Sequence, residues 1–111
     1  MTDTMADRRR APRYALIVLA DITELTTGAK LHARTSDMSR TGCYIDTLKP
    51  LAKGSSIHVC FAHRGETVES NAKVVYVNAG LGMGIQFEEA ISEDQWAVLD
   101  RWLEHAAHLP V

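Results

Sequence analysis

Short stretches rich in apolar and β-branched residues recur between residues 14 and 87, separated by residues that favour turns. In most of these stretches apolar and polar positions alternate, which is the period of a strand with one buried face. The pattern predicts strands over residues 14–22, 29–39, 42–48, 57–63, 67–77 and 83–87. Six short strands at such spacing indicate a mainly β fold, a small antiparallel barrel or sandwich.

The alternation also assigns side chains to the face that is expected to point inward. In the stretch 67–77 this face carries Tyr76 together with smaller apolar residues. The segment 80–84, GLGMG, is predicted to be a hairpin turn that leads into the last strand. The expected inward residues are Leu31, Ala33, Thr35, Cys43, Ile45, Ile57, Val59, Phe61, Val68, Ala72, Val74, Tyr76, Met83, Ile85 and Phe87.

The C-terminal segment follows a helical period instead. Ser92 and Gln95 have the spacing of a capping box, which places the start of a helix directly after Ser92. The predicted helix covers about 93–107. Trp102 lies beside its main apolar stripe, where it either widens the buried face or touches a partner. The stripe itself consists of Trp96, Leu99, Leu103 and Ala106.

The first 13 residues are mostly polar, and four of them are arginines, at positions 8, 9, 10 and 13. Pro12 discourages a helix through this segment, so we expect a flexible arm. The chain is therefore expected to be one domain with three parts. These are the arm at 1–13, a barrel at 14–91 and a C-terminal helical segment at 92–111.

Composition and charge narrow the classes of protein. The chain has 111 residues, of which 46% are apolar, enough for one compact core. The net charge is −2, but without the four arginines there would be 8 basic and 14 acidic residues, a net charge of −6. The positive charge is thus local, on an acidic body. A general nucleic-acid binder would instead carry a broad basic surface.

Other features argue against a secreted protein, a membrane protein or an enzyme. Cys43 and Cys60 are too few for a disulfide framework and are expected to be free thiols, with a single disulfide as the less favoured alternative. No apolar run approaches the ~20 residues of a membrane span. No catalytic arrangement and no metal-ligand cluster stands out. We therefore expect a soluble intracellular protein without enzymatic activity.

Two polar clusters carry the candidate chemistry. The arginines adjoin the first strand, and arginine binds phosphate with two parallel hydrogen bonds, stacks on bases and reads guanine edges. The segment 37–42, DMSRTG, joins two predicted strands and offers a carboxylate that can accept from guanine and a hydroxyl that can bond phosphate or base. Taken singly, the first cluster could be a solvated tail and the second an ordinary turn.

Together, the clusters carry the spacing Arg9-x-x-x-Arg13 followed by Asp37-x-Ser39-x-x-Gly42. This ordered pair resembles the signature of the PilZ family. The likeness extends to the segment LKPLAKGSSIHVCF and to GMGIQFEE before the terminal helix. The resemblance implies a six-stranded antiparallel β-barrel with a C-terminal α-helix, which binds the bacterial second messenger cyclic dimeric GMP (cyclic di-GMP).

The resemblance covers about residues 7–107 and assigns roles to the arm. It implies that Arg9 and Arg13 contact the phosphates and guanines of the ligand. Arg10 is the additional arginine often found between them, and it is expected to contribute charge or stacking.

The resemblance assigns the second half of the site to the barrel surface. It implies that Asp37 and Ser39 form hydrogen bonds with guanine. Gly42 is expected to permit a tight backbone after them. No cofactor other than the ligand and no metal is implied.

The preferred hypothesis is a bacterial, cytoplasmic second-messenger receptor. Ligand binding would order the arm over the barrel, and the change would be read by an unidentified protein effector or through a homodimer. Nucleic-acid binding and membrane insertion are not expected. Two alternatives stay open: a PilZ-like adaptor that binds protein but not nucleotide, and a small nucleic-acid-binding barrel.

Overall fold

The computed structural model of the protein describes residues 12–88 and 91–108. These residues form seven β-strands and one α-helix. The strands are β1 (Tyr14–Ala15), β2 (Leu19–Glu24), β3 (Lys30–Met38), β4 (Gly42–Asp46), β5 (Ser56–His63), β6 (Glu66–Asn78) and β7 (Gly82–Phe87), and the helix is α1 (Glu93–Ala107).

Six of the strands close into an antiparallel barrel, in the order β3–β2–β5–β6–β7–β4 and back to β3. Closure depends on β3, which pairs with β2 along one part of its length and with β4 along another. The short strand β1 pairs with the last two residues of β3, beyond the segment that pairs with β2. The predicted mainly β fold, a six-stranded antiparallel barrel with a C-terminal helix, is confirmed.

The first predicted strand, 14–22, is divided by a break at 16–18. Within the break the side chain of Thr35 replaces regular ladder bonds. Its hydroxyl accepts a hydrogen bond from the Val18 amide (3.0 Å) and donates one to the Leu16 carbonyl (2.6 Å). Thr35 is fully buried, so no water can substitute for this group. Together with two backbone bonds, from the Leu16 amide to the Ser36 carbonyl (3.2 Å) and from the Thr35 amide to the Val18 carbonyl (3.0 Å), this hydroxyl ties the broken segment to β3.

The barrel core consists of the inward faces of the strands, as the alternation of apolar and polar residues predicts. The rings of Phe61 and Phe87 meet edge to face with their centroids 5.9 Å apart, a favourable aromatic geometry. The inward positions predicted for β4, β5 and β7 are confirmed. The largest fully buried apolar side chains include Ile22, Ile45, Ile57, Val59, Phe61, Val68, Val74 and Met83.

The prediction that Tyr76 points inward is wrong. Val74 pairs with Ile85 and Tyr76 pairs with Gly84, so Val75 is an extra residue in β6. One inserted residue reverses the face of every side chain that follows it. Tyr76 consequently lies on the outer surface and is 44% exposed.

The C-terminal helix begins where the sequence predicts. The Ser92 hydroxyl accepts a hydrogen bond from the Gln95 amide (3.3 Å). The side chain of Gln95 does not complete a capping box, because its oxygen accepts from the Glu69 amide and so fastens α1 to β6. Trp102 completes the apolar face, whose buried members are Leu99, Trp102 and Leu103. Within 12–88 and 91–108, no helix has both the length and the apolar character to cross a membrane.

The two cysteines are free. Cys43 is buried in β4, whereas Cys60 lies among the outward positions of β5 and is only partly buried. Burial raises the pKa of the Cys43 thiol, which makes this residue an uncharged part of the core.

We expect Thr35→Val to destabilise the fold by about 1–3 kcal/mol, because the substitution leaves a buried amide and a buried carbonyl unpaired. Chemical denaturation would measure the loss. Thr35→Ser is the matched control, since it keeps the hydroxyl and removes only a methyl group. A valine variant as stable as the wild type would contradict the role given to the hydroxyl.

Candidate functional site

Outward side chains form one row across the barrel, perpendicular to the strands. Pairing places Ala15 of β1 beside Asp37 of β3, Asp37 beside Tyr44 of β4, Tyr44 beside Gly84 of β7, and Gly84 beside Tyr76 of β6. Three strand spacings separate Asp37 from Tyr76, roughly 14 Å. The row brings a carboxylate and two aromatic rings onto one surface.

A β-bulge brings Asp37 to this outer surface. Thr35 pairs with Ile45 and Asp37 pairs with Tyr44, so Ser36 is an extra residue in β3. Without it, the strand period would turn Asp37 into the core on the same side as Thr35. The same stretch of β3 therefore carries both the buried hydroxyl and the outward carboxylate.

The two halves of the sequence signature meet at Asp37. The Arg13 guanidinium lies 2.7 Å from the Asp37 carboxylate, through Nη2 and Oδ1. Arg13 directly precedes β1, whose pairing with β3 places it there. The two side chains are 47% and 35% exposed, so the pair faces solvent. Arg9 and Arg10 lie outside the described residues.

Ser39 occupies a different position from the one expected of a surface contact. It is only 1% exposed, and its hydroxyl donates to the Gly42 carbonyl (3.2 Å) and accepts from the Thr41 amide (3.1 Å). The Ser39 amide also donates to the Gly42 carbonyl (2.8 Å). The observed contacts of Ser39 thus hold the turn that follows Asp37.

Gly42 is required by a close approach of strands. A Cβ atom at this position would lie 2.1 Å from the Ile85 carbonyl oxygen of β7. The neighbour is backbone, which cannot move aside without breaking the β4–β7 ladder. Any larger residue at position 42 would therefore disturb the strand that carries Tyr44.

Tyr44 and Tyr76 form an aromatic pair that the sequence pattern did not reveal. Their ring centroids lie 6.1 Å apart, and the rings lie over two glycines of β7. A Cβ at Gly82 would come within 2.7 Å of the Tyr44 ring, and one at Gly84 within 2.2 Å of the Tyr76 ring. The signal in the sequence was GLGMG, whose last two glycines alternate with inward residues of β7 and are not part of a turn.

Arg40 connects the turn of the signature to the helix. Its guanidinium lies 4.5 Å from the centre of the Trp96 ring, and its Nε lies 3.2 Å from the Asp100 carboxylate. A groove of about 450 Å³ opens beside it, on the same outer surface as the aromatic pair. Polar and aromatic residues that line this groove are Arg40, Thr41, Lys73, Gln86, Phe87, Glu88 and Trp96.

The arrangement can recognise a ligand that is both anionic and aromatic. Arg13, Arg40 and Lys73 offer positive charge, the Asp37 carboxylate accepts hydrogen bonds, and the tyrosines offer stacking faces. Within the described part of the chain, no group of three histidine, cysteine, aspartate or glutamate side chains is placed to hold a metal ion. The charges and rings of the site are thus suited to binding a nucleotide.

Several solved structures share the fold, among them the following two. One is the Bacillus subtilis inhibitor of motility (MotI/DgrA), which is 17% identical with a TM-score of 0.72 over 93% of this chain. The chain spans about half of that protein, 53% of its length. The other is the PilZ domain of CeSA from a cellulose-synthesizing bacterium, 14% identical with a TM-score of 0.67, covering 86% of this chain and 98% of that domain.

No protein of curated function matches this sequence. Residues 7–105, however, match the PilZ domain, and this range contains both halves of the signature. PilZ domains are binding and receptor domains. Because the match covers most of the chain, the protein belongs to the PilZ domain family.

Proposed function

We propose that this protein is a receptor for cyclic di-GMP, which binds across the outer face of the barrel at the Arg13–Asp37 pair. The observation that carries the proposal is that this pair unites the two halves of the signature on an exposed surface. An exposed ion pair contributes only about 0–1 kcal/mol of stability. The pair is therefore better explained as part of a binding site than as a structural requirement.

Asp37 can serve Arg13 and a guanine at the same time. Only its Oδ1 atom is bonded to Arg13, and within the described residues Oδ2 has no hydrogen-bond partner. A guanine presents N1–H and N2–H₂ donors, which match a free carboxylate oxygen. The guanidinium of Arg13 has further donors for phosphate. Asp37 would thus select guanine while Arg13 neutralises the phosphate.

The remaining residues of the signature support this geometry in different ways. Arg9 and Arg10 would add contacts to phosphate and base from the arm. Ser39 would act by holding the turn, since its single O–H already donates to the Gly42 carbonyl and could donate to guanine only if that bond opened.

The tyrosine pair extends the proposed site beyond the signature. Tyr76 and Tyr44 lie in the same row as Asp37, which suits a ligand whose two bases lie apart. Stacking of a base on an aromatic ring contributes about 1–3 kcal/mol. One guanine would therefore be recognised by its edge at Asp37 and the other by its face at Tyr76.

Transmission of the signal would run through the arm. Binding would fix residues 1–13 against the barrel and so change the contacts with a protein effector in the bacterial cytoplasm. The alternative is an adaptor with the same barrel that does not bind nucleotide. The site favours the receptor, because an adaptor would have no need of an outward carboxylate beside an arginine and two stacking rings.

Isothermal titration is expected to show micromolar binding of cyclic di-GMP to the wild type, about −8 kcal/mol. Arg13→Ala and Asp37→Asn are each expected to weaken binding by about 1.5–3 kcal/mol, the contribution of a hydrogen bond to a charged group. Arg101→Ala is the matched control, since it removes an exposed arginine that is paired with Glu66 and not with a residue of the signature. Undiminished affinity in both site variants would contradict the proposed site.

Tyr76→Ala is expected to weaken binding of cyclic di-GMP by about 1–3 kcal/mol, because a stacking face is lost. Tyr76→Phe keeps the ring and is expected to retain most of the affinity. Thermal unfolding would verify that both variants fold. Equal affinities of the alanine variant and the wild type would remove Tyr76 from the site.

A further inference from the structure

An exposed apolar surface lies where the first strand is broken. Ile17, in the break between β1 and β2, points outward and is 61% exposed. Leu19, two residues further on the same face, is 67% exposed and pairs with Ala62 of β5, which is also exposed. Large apolar side chains at adjacent outward positions form a continuous patch, which commonly marks an interaction site.

A groove of about 430 Å³ adjoins this apolar surface. It lies beside the bulge residue Ser36 and reaches the hairpin between β5 and β6. No acidic side chain lines it, whereas three of its residues are arginine or histidine. The residues that line the groove are Ala15, Leu16, Ile17, Ser36, His63, Arg64 and His105.

Arg64 lies at the edge of this groove and has an unusual backbone conformation. Its φ is +54° and that of Gly65 is +80°, so the two residues form the centre of a hairpin turn of the I′ type. Asparagine, aspartate or glycine is the usual residue at this first position, because other side chains are strained at positive φ. Such strain is often retained where the side chain serves a function.

The fixed charge at the groove is that of Arg64. Burial and the nearby Arg64 guanidinium lower the pKa of His63, which favours the neutral form of this side chain. The Glu66 carboxylate at the other end of the hairpin is already paired with Arg101 of α1. Arg64 consequently faces the groove without a carboxylate among the groove-lining residues.

We infer that the Ile17 patch, defined by Ile17, Leu19, Ala62 and Arg64 with the groove beside them, is a docking surface for an acidic amphipathic segment of a partner protein. Apolar side chains of such a segment would cover Ile17 and Leu19, and a carboxylate would pair with Arg64. The charge of the groove is complementary to this partner and repels a basic one.

The patch is close in the chain to the proposed nucleotide site. Only three residues lie between Arg13 and Ile17, and two of them form β1. This part of the argument rests on the proposed function: a ligand held by Arg13 would shift β1 and so reshape the groove. The patch would then be the surface through which the receptor reports binding.

A synthetic peptide with leucines at helical spacing and glutamates between them serves as the probe, and the same peptide with lysines as its control. Fluorescence anisotropy with a labelled peptide is expected to show binding of the acidic peptide only. Ile17→Ser is expected to weaken binding of the acidic peptide about tenfold, because apolar contact is lost. Arg64→Gly is expected to weaken it about three- to fivefold, because an exposed charge is lost. Saturating cyclic di-GMP is expected to change the affinity of the protein for the acidic peptide.

Arg64→Gly separates docking from folding. Glycine adopts positive φ without strain, so this variant is expected to unfold at a higher temperature while binding the peptide less tightly. Absence of binding, equal binding of the lysine peptide, or unchanged affinity in both variants would overturn the docking surface. A dimer of the wild type that Ile17→Ser dissociates in analytical ultracentrifugation would also overturn it, in favour of a second copy as the occupant.

Titration of the Arg64→Gly variant with cyclic di-GMP distinguishes the two proposals. The variant is expected to bind the nucleotide as the wild type does, because Arg64 lies outside the proposed nucleotide site. If the wild type binds the acidic peptide through Arg64 but binds no cyclic di-GMP, the proposed function fails and the docking surface stands. If the nucleotide binds but leaves the peptide affinity unchanged, the coupling between the sites is overturned.

Discussion

The buried hydroxyl of Thr35 is the contact on which both proposed surfaces depend. It bonds to the amide of Val18 and the carbonyl of Leu16, and so holds the broken first strand against β3. Directly after Thr35, the extra residue Ser36 turns Asp37 outward. A regular strand at this point would have turned the carboxylate toward the core.

The segment before β2, residues 13–17, has chemically different surroundings at its two ends. At its start, Arg13 meets Asp37 beside the tyrosine row. At its end, Ile17 is exposed to solvent beside a groove that no acidic side chain lines. The two-residue strand β1 lies between them. In the proposed account it is the physical route from the ligand to the partner. The helix contributes a second connection, since Asp100 and Trp96 hold Arg40 in the turn of the signature.

Much of the fold follows from local patterns in the sequence. The period of two in the strands and the cap at Ser92 predicted a barrel or a sandwich followed by a helix. The resemblance to the PilZ family selected the barrel and placed Arg13 and Asp37 in one site. Tyr76 was misplaced because a one-residue bulge at Val75 leaves no mark in a period-two pattern but reverses the face. The burial of Ser39 depends on bonds within a folded turn, which residue type does not reveal.

The central claim is that cyclic di-GMP binds across the row from Asp37 to Tyr76. The most direct test is a titration of the ¹⁵N-labelled protein with the nucleotide, followed by amide chemical shifts. The account predicts that the largest changes fall at Asp37, Tyr44 and Gly84 and at the residues next to them. Saturable binding that left these amides unchanged and moved only amides of β2 and β5 would contradict it, as would the absence of binding.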